Sequence, residues 1–184
     1  RAEDVRVGEV AGASSLTARF AEAAPIAGRT MVTAMIGELR VTGMANGVDI
    51  TETGTGNVTV TVASPARIEG ADDNNGTGIG VNLAVASGKL SLTTAAGSKV
   101  DGDNQVGIVA KATGAGAAGD QITIINNGSI GETTATDSTG LGALISGAGA
   151  GNINISGSGS IKSGATGPAI FAQSNSAGDT TINY

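Results

Sequence analysis

Short runs in which apolar and polar residues alternate recur along residues 47–184 at intervals of about thirty residues. Ile122 and Ile124 alternate in this way in one run, and Ile153 and Ile155 do so in another. Because successive side chains of a β-strand point to opposite faces, the alternation predicts strands with one buried side and one solvent-facing side. Gly, Asn, Asp and Ser separate the runs, and these residues favour tight turns. The pattern therefore predicts many short strands joined by turns.

The runs form three columns, which recur along the chain in the order third, first, second. The first column comprises residues 58–61, 90–93, 122–125, 153–156 and 180–183. The second column comprises residues 68–70, 100–102, 130–132 and 161–163. The third column comprises residues 47–50, 80–83, 107–110, 142–145 and 168–171. Successive members of the first column begin 32, 32, 31 and 27 residues apart, so the spacing is close to constant.

Three short strands per repeating unit predict an all-β fold, a parallel β-helix with about 30 residues and three strands per coil. A unit of this length cannot bury its own apolar face, so neighbouring coils must cover it. An antiparallel sandwich is the competing fold, but it predicts hairpin turns and no fixed order of columns. The uneven spacing predicts loops inserted at one corner of the coil, over residues 112–119 and 133–140.

Residues 1–46 fit the repeat less well than residues 47–184, which we assign to the coils. A solenoid needs a cap over its open strand edge, so we expect the first segment to be a capping region with a first irregular coil. Leu16 and Phe20 lie four residues apart, which predicts a short helix over residues 15–24.

The two ends of the chain add further expectations. Residues 39–42 predict another coil strand near the N-terminal end. Arg1 opens a polar segment, so we expect no signal peptide there, and no apolar run approaches the length of a membrane span. The chain stops at Tyr184 directly after a strand of the first column, so we expect further coils in a longer protein.

Composition excludes several classes of function. The chain has 31 Gly among 184 residues and no Cys or His. Without Cys there is no disulfide, zinc-thiolate site or cysteine nucleophile, and without His a Ser-His-Asp triad is impossible. The net charge of −6 argues against nucleic acid as a partner. Only 14% of the residues are charged and 40% are apolar, which is not the composition of a disordered chain.

Residues 151–161, with the sequence GNINISGSGSI, and residues 122–130, which end in NNGSI, resemble autotransporter passenger domains. These are secreted, right-handed β-helices of Gram-negative bacteria. The resemblance covers about residues 47–184 and implies a right-handed coil on the bacterial cell surface, outside the cell. It also implies an adhesin that takes part in virulence, or in self-association and biofilm formation. The implied partners are the host cell surface or extracellular matrix, or the same protein on a neighbouring cell.

The outward positions of the first column form a row of hydroxyl and amide side chains. In chain order they are Thr59 and Thr61, Ser91 and Thr93, Thr123 and Ile125, Asn154 and Ser156, and Thr181 and Asn183. The candidate binding residues among them are Thr59, Thr61, Thr93, Thr123, Asn154, Thr181 and Asn183. In proteins that resemble this chain, such a ladder can bind the same ladder on another cell. Thr is also favoured at solvent-facing strand positions by its β-propensity alone, so both explanations stay open.

Acidic residues in and after the second column are the candidates for chemistry. They are Glu69, Asp72, Asp73, Asp101 and Asp103. Stacked coils would place Glu69 beside Asp101, and paired carboxylates serve as acid and base in glycosidases or bind calcium. Asp is also an ordinary turn residue. We therefore predict no enzyme, metal or cofactor, with a polysaccharide lyase or hydrolase as one alternative and a passive stalk as another.

Overall fold

The chain is built from stacked β-strands. The computed structural model describes residues 15–26, 29–36, 39–45, 47–70, 78–102, 106–114, 116, 118–131, 139–164 and 167–184. Within these residues there are seventeen strands and no helix, and so no helix long and apolar enough to span a membrane. The strands are β1 Ser15–Ile26, β2 Arg29–Ile36, β3 Leu39–Ala45, β4 Val48–Glu52, β5 Asn57–Val62, β6 Arg67–Glu69, β7 Val81–Val85, β8 Leu90–Thr94, β9 Lys99–Asp101, β10 Ile108–Ala112, β11 Gly119–Asn126, β12 Ser129–Ile130, β13 Leu141–Ile145, β14 Gly151–Gly157, β15 Ser160–Ile161, β16 Ile170–Ser174 and β17 Thr180–Asn183.

The strands form three sheets, one for each column of the sequence. The column-one sheet has the order β17-β14-β11-β8-β5-β1-β2-β3. The column-two sheet has the order β15-β12-β9-β6, and the column-three sheet has the order β16-β13-β10-β7-β4. From β4 onward, four successive groups of three strands each give one strand to every sheet, and all their pairings are parallel. This confirms the predicted parallel β-helix.

The register of the first two columns is as predicted. In the column-one sheet Val58 pairs with Leu90, Leu90 with Ile122, and Ile122 with Ile153. The column-two sheet aligns its members in the same way, beginning with the pair of Ile68 and Val100. Repeated residues therefore lie directly above one another from coil to coil.

The predicted register of the third column is wrong in two units. Leu141 pairs with Ile108 on one side and with Ile170 on the other. The prediction for residues 142–145 is thus displaced by two positions, and that for residues 168–171 by one. A displacement of two keeps the buried face, whereas a displacement of one reverses it. Glycine precedes and follows Leu141, so a glycine at the start of the strand does not fix the register.

The core is a set of aliphatic stacks that run along the solenoid. Val60, Leu92, Ile124 and Ile155 occupy equivalent positions in successive coils, and each is at most 1% exposed. Burying a side chain of this size stabilises a fold by about 1.5–3 kcal/mol. Each residue in the stack is covered by the equivalent residues above and below it, so no coil holds its core alone.

The corner between the column-three and column-one sheets requires glycine. A Cβ atom added to Gly88 would lie 1.6 Å from the carbonyl oxygen of Gly56 in the preceding coil. Gly147 approaches the carbonyl oxygen of Gly114 almost as closely, at 2.0 Å. Any side chain at these positions would hold the coils apart, which explains why glycine recurs there.

The inserted residues do not share one corner, so that prediction is wrong. The first insertion falls between β10 and β11, where the chain passes from the column-three to the column-one sheet. The second falls between β12 and β13, where it passes from the column-two to the column-three sheet. Spacing within a column measures the length of a whole coil and does not say which turn holds the extra residues.

The N-terminal region contains strands where a helix was predicted. β1 spans the predicted helix and pairs in parallel with β5, with Leu16 opposite Val58. β2 and β3 then extend the sheet with antiparallel pairings. Without β1, the edge of β5 would expose a row of unpaired backbone N–H and C=O groups. Pairing of β1 with this edge satisfies those groups, and it outweighs the helical preference that the spacing of Leu16 and Phe20 indicates. The predicted strand at residues 39–42 is present within β3, but in an antiparallel pair and not in a coil.

Candidate functional site

The outward side of the column-one sheet carries two straight rows of side chains, which we call the ladder. The first row contains Thr59, Ser91, Thr123, Asn154 and Thr181, and the second contains Thr61, Thr93, Ile125, Ser156 and Asn183. All seven candidate binding residues lie in these rows. Neighbouring strands of a sheet are about 4.8 Å apart, so each row repeats a side chain at that interval.

The ladder residues are accessible because the strands alternate between buried and outward positions. In β5 the two threonines are partly exposed, whereas Val58, Val60 and Val62 are buried. In β17 every residue is exposed. Ser91, Ile125 and Ser156 occupy the same rows but were not among the candidates chosen from the sequence. Ile125 is 38% exposed, which makes it an apolar contact in a polar row.

The polar groups of the ladder are available for hydrogen bonding. Among the residues that the structure describes, the seven candidate side chains form no hydrogen bond with one another or with neighbouring side chains. Their hydroxyl and amide groups can donate and accept. No ionisable side chain lies in either row of the ladder from β5 to β17. The ladder is therefore an uncharged surface with unused hydrogen-bonding capacity.

A third outward row, which we call the flanking row, lies at the N-terminal ends of the same strands. It contains Asn57, Lys89, Asp120, Asn152 and Asp179. The side chain of Asn57 accepts a hydrogen bond from the backbone amide of Lys89, at 2.7 Å. Asn152 does the same for the amide of Asp179, at 2.9 Å. These asparagines tie one coil to the next beside the ladder.

A β-bulge interrupts the flanking row at Gln121. The register between β11 and β14 shifts between Asp120 and Ile122, so Gln121 is an extra residue. Its side chain is 1% exposed, and neither its oxygen nor its nitrogen has a partner among the described residues. Gly116 and Gly151 pack closely against it. A buried unpaired amide destabilises a fold, and the sequence pattern did not single out this residue.

A buried polar column, formed by Thr94 and Asn126, lies inside the corner where the column-one sheet ends, and Tyr184 at its end is half exposed. Thr94 donates a hydrogen bond to the side chain of Asn126, which contacts the hydroxyl of Tyr184 two coils further along. Gly157 occupies the position between, so no side chain separates Asn126 from Tyr184. Burial raises the pKa of Tyr184, and the hydrogen bond with Asn126 opposes that rise. Thr94 and Asn126 resemble ordinary turn residues in the sequence, which is why their burial was not predicted.

The acidic candidates are brought together in part. Glu69 pairs in register with Asp101, as the stacking of coils predicted. Glu69 also accepts a hydrogen bond from the guanidinium of Arg67, at 2.7 Å. Asp72, Asp73 and Asp103 lie outside the described residues. Among the residues described, no group of three or more acidic side chains is positioned to hold a metal ion.

Comparison of the chain with protein families, with curated proteins and with solved structures finds no match. The resemblance to autotransporter passengers therefore remains a prediction from the sequence. The fold and the ladder are the features from which a function must be argued.

Proposed function

We propose that this chain belongs to a secreted adhesin on the bacterial surface, and that its ladder mediates association with another copy or with a host surface. The observation that carries the proposal is the ladder itself, with outward hydroxyl and amide groups repeated in register on five strands and without side-chain hydrogen-bond partners among the described residues. The position on the cell surface rests on the resemblance of the sequence to passenger domains.

The ladder suits a contact built from many weak interactions. A single hydrogen bond contributes a net of about 0.5–1.5 kcal/mol in water. One such bond would not hold two proteins together, but a regular row offers several at once. Copies displayed on a cell surface add avidity, because one contact raises the effective concentration of the next. Association through the ladder would therefore depend on the whole array more than on any single residue.

Replacing Thr123, Asn154 and Thr181 by Lys tests the proposal. Three lysines in one row place like charges on each facing surface, so cells displaying the variant should settle more slowly than cells displaying the native chain. The matched control carries Lys at Thr51, Ser160 and Gln173, which are exposed on the other two sheets. The measurement is the settling rate of otherwise non-adherent bacteria, with β-structure checked by far-UV circular dichroism.

The native chain and the control should promote settling equally, and the ladder variant should not. If all three promote settling equally, a role for the ladder in self-association is contradicted. If none promotes settling, the ladder variant and the native chain are compared for binding to host matrix proteins and glycans. Equal binding in that comparison would contradict the proposal as a whole.

A passive stalk is the second candidate function. It is favoured by the continuous core that runs from Val48 and Ile50 to Ile170 and Ala172 without a break among the described residues. Such a solenoid holds a fixed length and suits a spacer. The settling experiment and the host-binding comparison together separate the two functions, because a spacer gives no difference between the ladder variant and the native chain in either one.

A further inference from the structure

Opposite charges lie next to each other beside the centre of the ladder. Lys89 and Asp120 belong to the flanking row at the starts of β8 and β11, and both are exposed. Within the part of the chain that the structure describes, neither side chain forms an ion pair or a side-chain hydrogen bond. The two ladder rows beside them carry no ionisable group from β5 to β17. The two side chains are therefore available to form ion pairs with a binding partner.

A second copy of the chain matches this pattern. Consider two copies that face each other through their ladders, related by a twofold axis parallel to the strands and midway between β8 and β11. This rotation leaves the position of each residue along the strand direction unchanged and reverses the order of the coils. Lys89 of each copy then opposes Asp120 of the other, which gives two identical pairs, as an isologous interface requires.

The same operation brings compatible ladder residues together. Ser91 opposes Thr123, Thr59 opposes Asn154, and Thr61 opposes Ser156, so hydroxyl groups meet hydroxyl or amide groups. Ile125 opposes Thr93, whose methyl group offers an apolar contact. Both members of every pair lie in the same row, so the two faces approach without a shift along the strands.

The other symmetric arrangements leave at least one of these two charges unpaired. A twofold axis midway between β11 and β14 pairs Lys89 with Asp179 instead, but it leaves Asp120 opposite Asn152. A twofold axis through β11 places Asp120 against its own copy, which is repulsive. An axis along the solenoid turns the flanking row towards the opposite ends of the strands, where Ala63, Ala95, Asn127 and Ser158 lie. Only the axis between β8 and β11 pairs both Lys89 and Asp120, and this criterion selects one register and direction from these possibilities.

We propose that two copies associate face to face and antiparallel through their ladders, with the register set by reciprocal Lys89–Asp120 pairs. This inference rests on the proposed function and specifies the partner as a second copy. The chain carries a net charge of −6, which opposes self-association. The two pairs offset that repulsion locally and disfavour other registers, while the ladder supplies most of the contact.

Charge reversal tests the pairing. Sedimentation of the purified chain at low ionic strength measures its self-association. Lys89→Glu and Asp120→Lys each place like charges at both pairs and should each weaken self-association by at least about tenfold. An equal mixture of the two variants restores two opposite-charge pairs and should recover association to within about threefold of the native chain. Lys111→Glu makes the same change of charge on the column-three sheet and should leave association unchanged.

The outcomes separate this inference from the proposed function. If the single reversals associate as the native chain does, while Lys at Thr123, Asn154 and Thr181 abolishes association, the pairing is overturned and the ladder interface stands. If the reversals weaken association and their mixture fails to recover it, the reciprocal register is also overturned. If the native chain stays monomeric at every concentration, this inference is overturned, and host binding becomes the test of the proposed function.

Discussion

At the residue scale, the buried polar column shows how one side chain ties distant coils together. The hydroxyl of Tyr184 reaches Asn126 across the position of Gly157, and Asn126 in turn accepts a hydrogen bond from Thr94. The side-chain oxygen of Asn126 also accepts a hydrogen bond from the amide of Gly128, at 3.2 Å. The last described strand is thus linked to two earlier coils through a single amide.

The pH dependence of stability should report this contact. The pKa of Tyr184 is raised above 10.0 in the folded chain, mainly by burial. The folded state therefore holds the tyrosine proton more tightly than the unfolded state does. This stabilising contribution is fully present below the unfolded pKa and is lost as pH rises through the folded pKa.

We expect the native chain to lose more stability than Tyr184→Phe between neutral pH and a pH above 10.0. Urea unfolding at both pH values measures the difference. Since the chain has one Tyr and no Trp, the absorbance of tyrosinate follows the same titration directly. If the free energy of unfolding of the two proteins depends on pH in the same way, the contact between Tyr184 and Asn126 is contradicted.

At the element scale, buried residues that stabilise the fold alternate along each strand with outward residues that form its surface. In β11, Ile124 is fully buried between its equivalents in the neighbouring coils, whereas the next residue, Ile125, is 38% exposed in the ladder. One strand therefore contains a core position and a surface position occupied by the same residue type.

Replacing Ile124 by Ala should lower the free energy of unfolding by roughly 2–5 kcal/mol, because it opens a cavity in the middle of the core. Ile125→Ala is the matched control and should change it by less than about 1 kcal/mol, since half-exposed positions bury little area. Chemical denaturation measures both. Similar losses in the two variants would show that the alternation of β11 is misassigned.

The glycine corner gives a second element-scale prediction. Gly88→Ala places a methyl group against the backbone of Gly56, so the two coils must separate, and we expect a loss of at least about 2 kcal/mol. Gly142→Ala is the control, because its nearest neighbour would be the Ile108 oxygen at 3.8 Å. That variant should be neutral or gain up to about 1 kcal/mol. Equal stability of the two alanine variants in thermal unfolding would contradict close packing at the corner.

The strand columns could be predicted from the sequence because two features are visible in it: apolar residues alternate within each strand, and the strands recur at the length of one coil. The seven candidate ladder residues followed from the same alternation. The bulge at Gln121 could not be predicted, since one extra residue in a turn or in a strand changes the spacing equally. β1 was mistaken for a helix because the spacing of Leu16 and Phe20 is local, whereas pairing with β5 is set by the whole sheet.

At the scale of the whole molecule, the ladder is an uncharged surface on an acidic protein. None of the charged residues behind the net charge of −6 lies in the two ladder rows from β5 to β17, so these rows of two copies approach without like-charge repulsion between them. The repeated core keeps that surface straight, because each coil stacks in register on the next. The ladder therefore combines a straight shape with the absence of like charge in its rows.

The parallel pairing of coils also has a mechanical consequence. The strands lie across the solenoid, so their backbone hydrogen bonds run along its axis. Tension applied to the two ends of the stack would load the bonds of one coil at a time and peel the coils off in sequence. Each detached coil would shorten the stack by about 5 Å and release about 30 residues, or roughly 100 Å of extended chain. A chain built this way would lengthen stepwise under tension while its remaining coils stay folded.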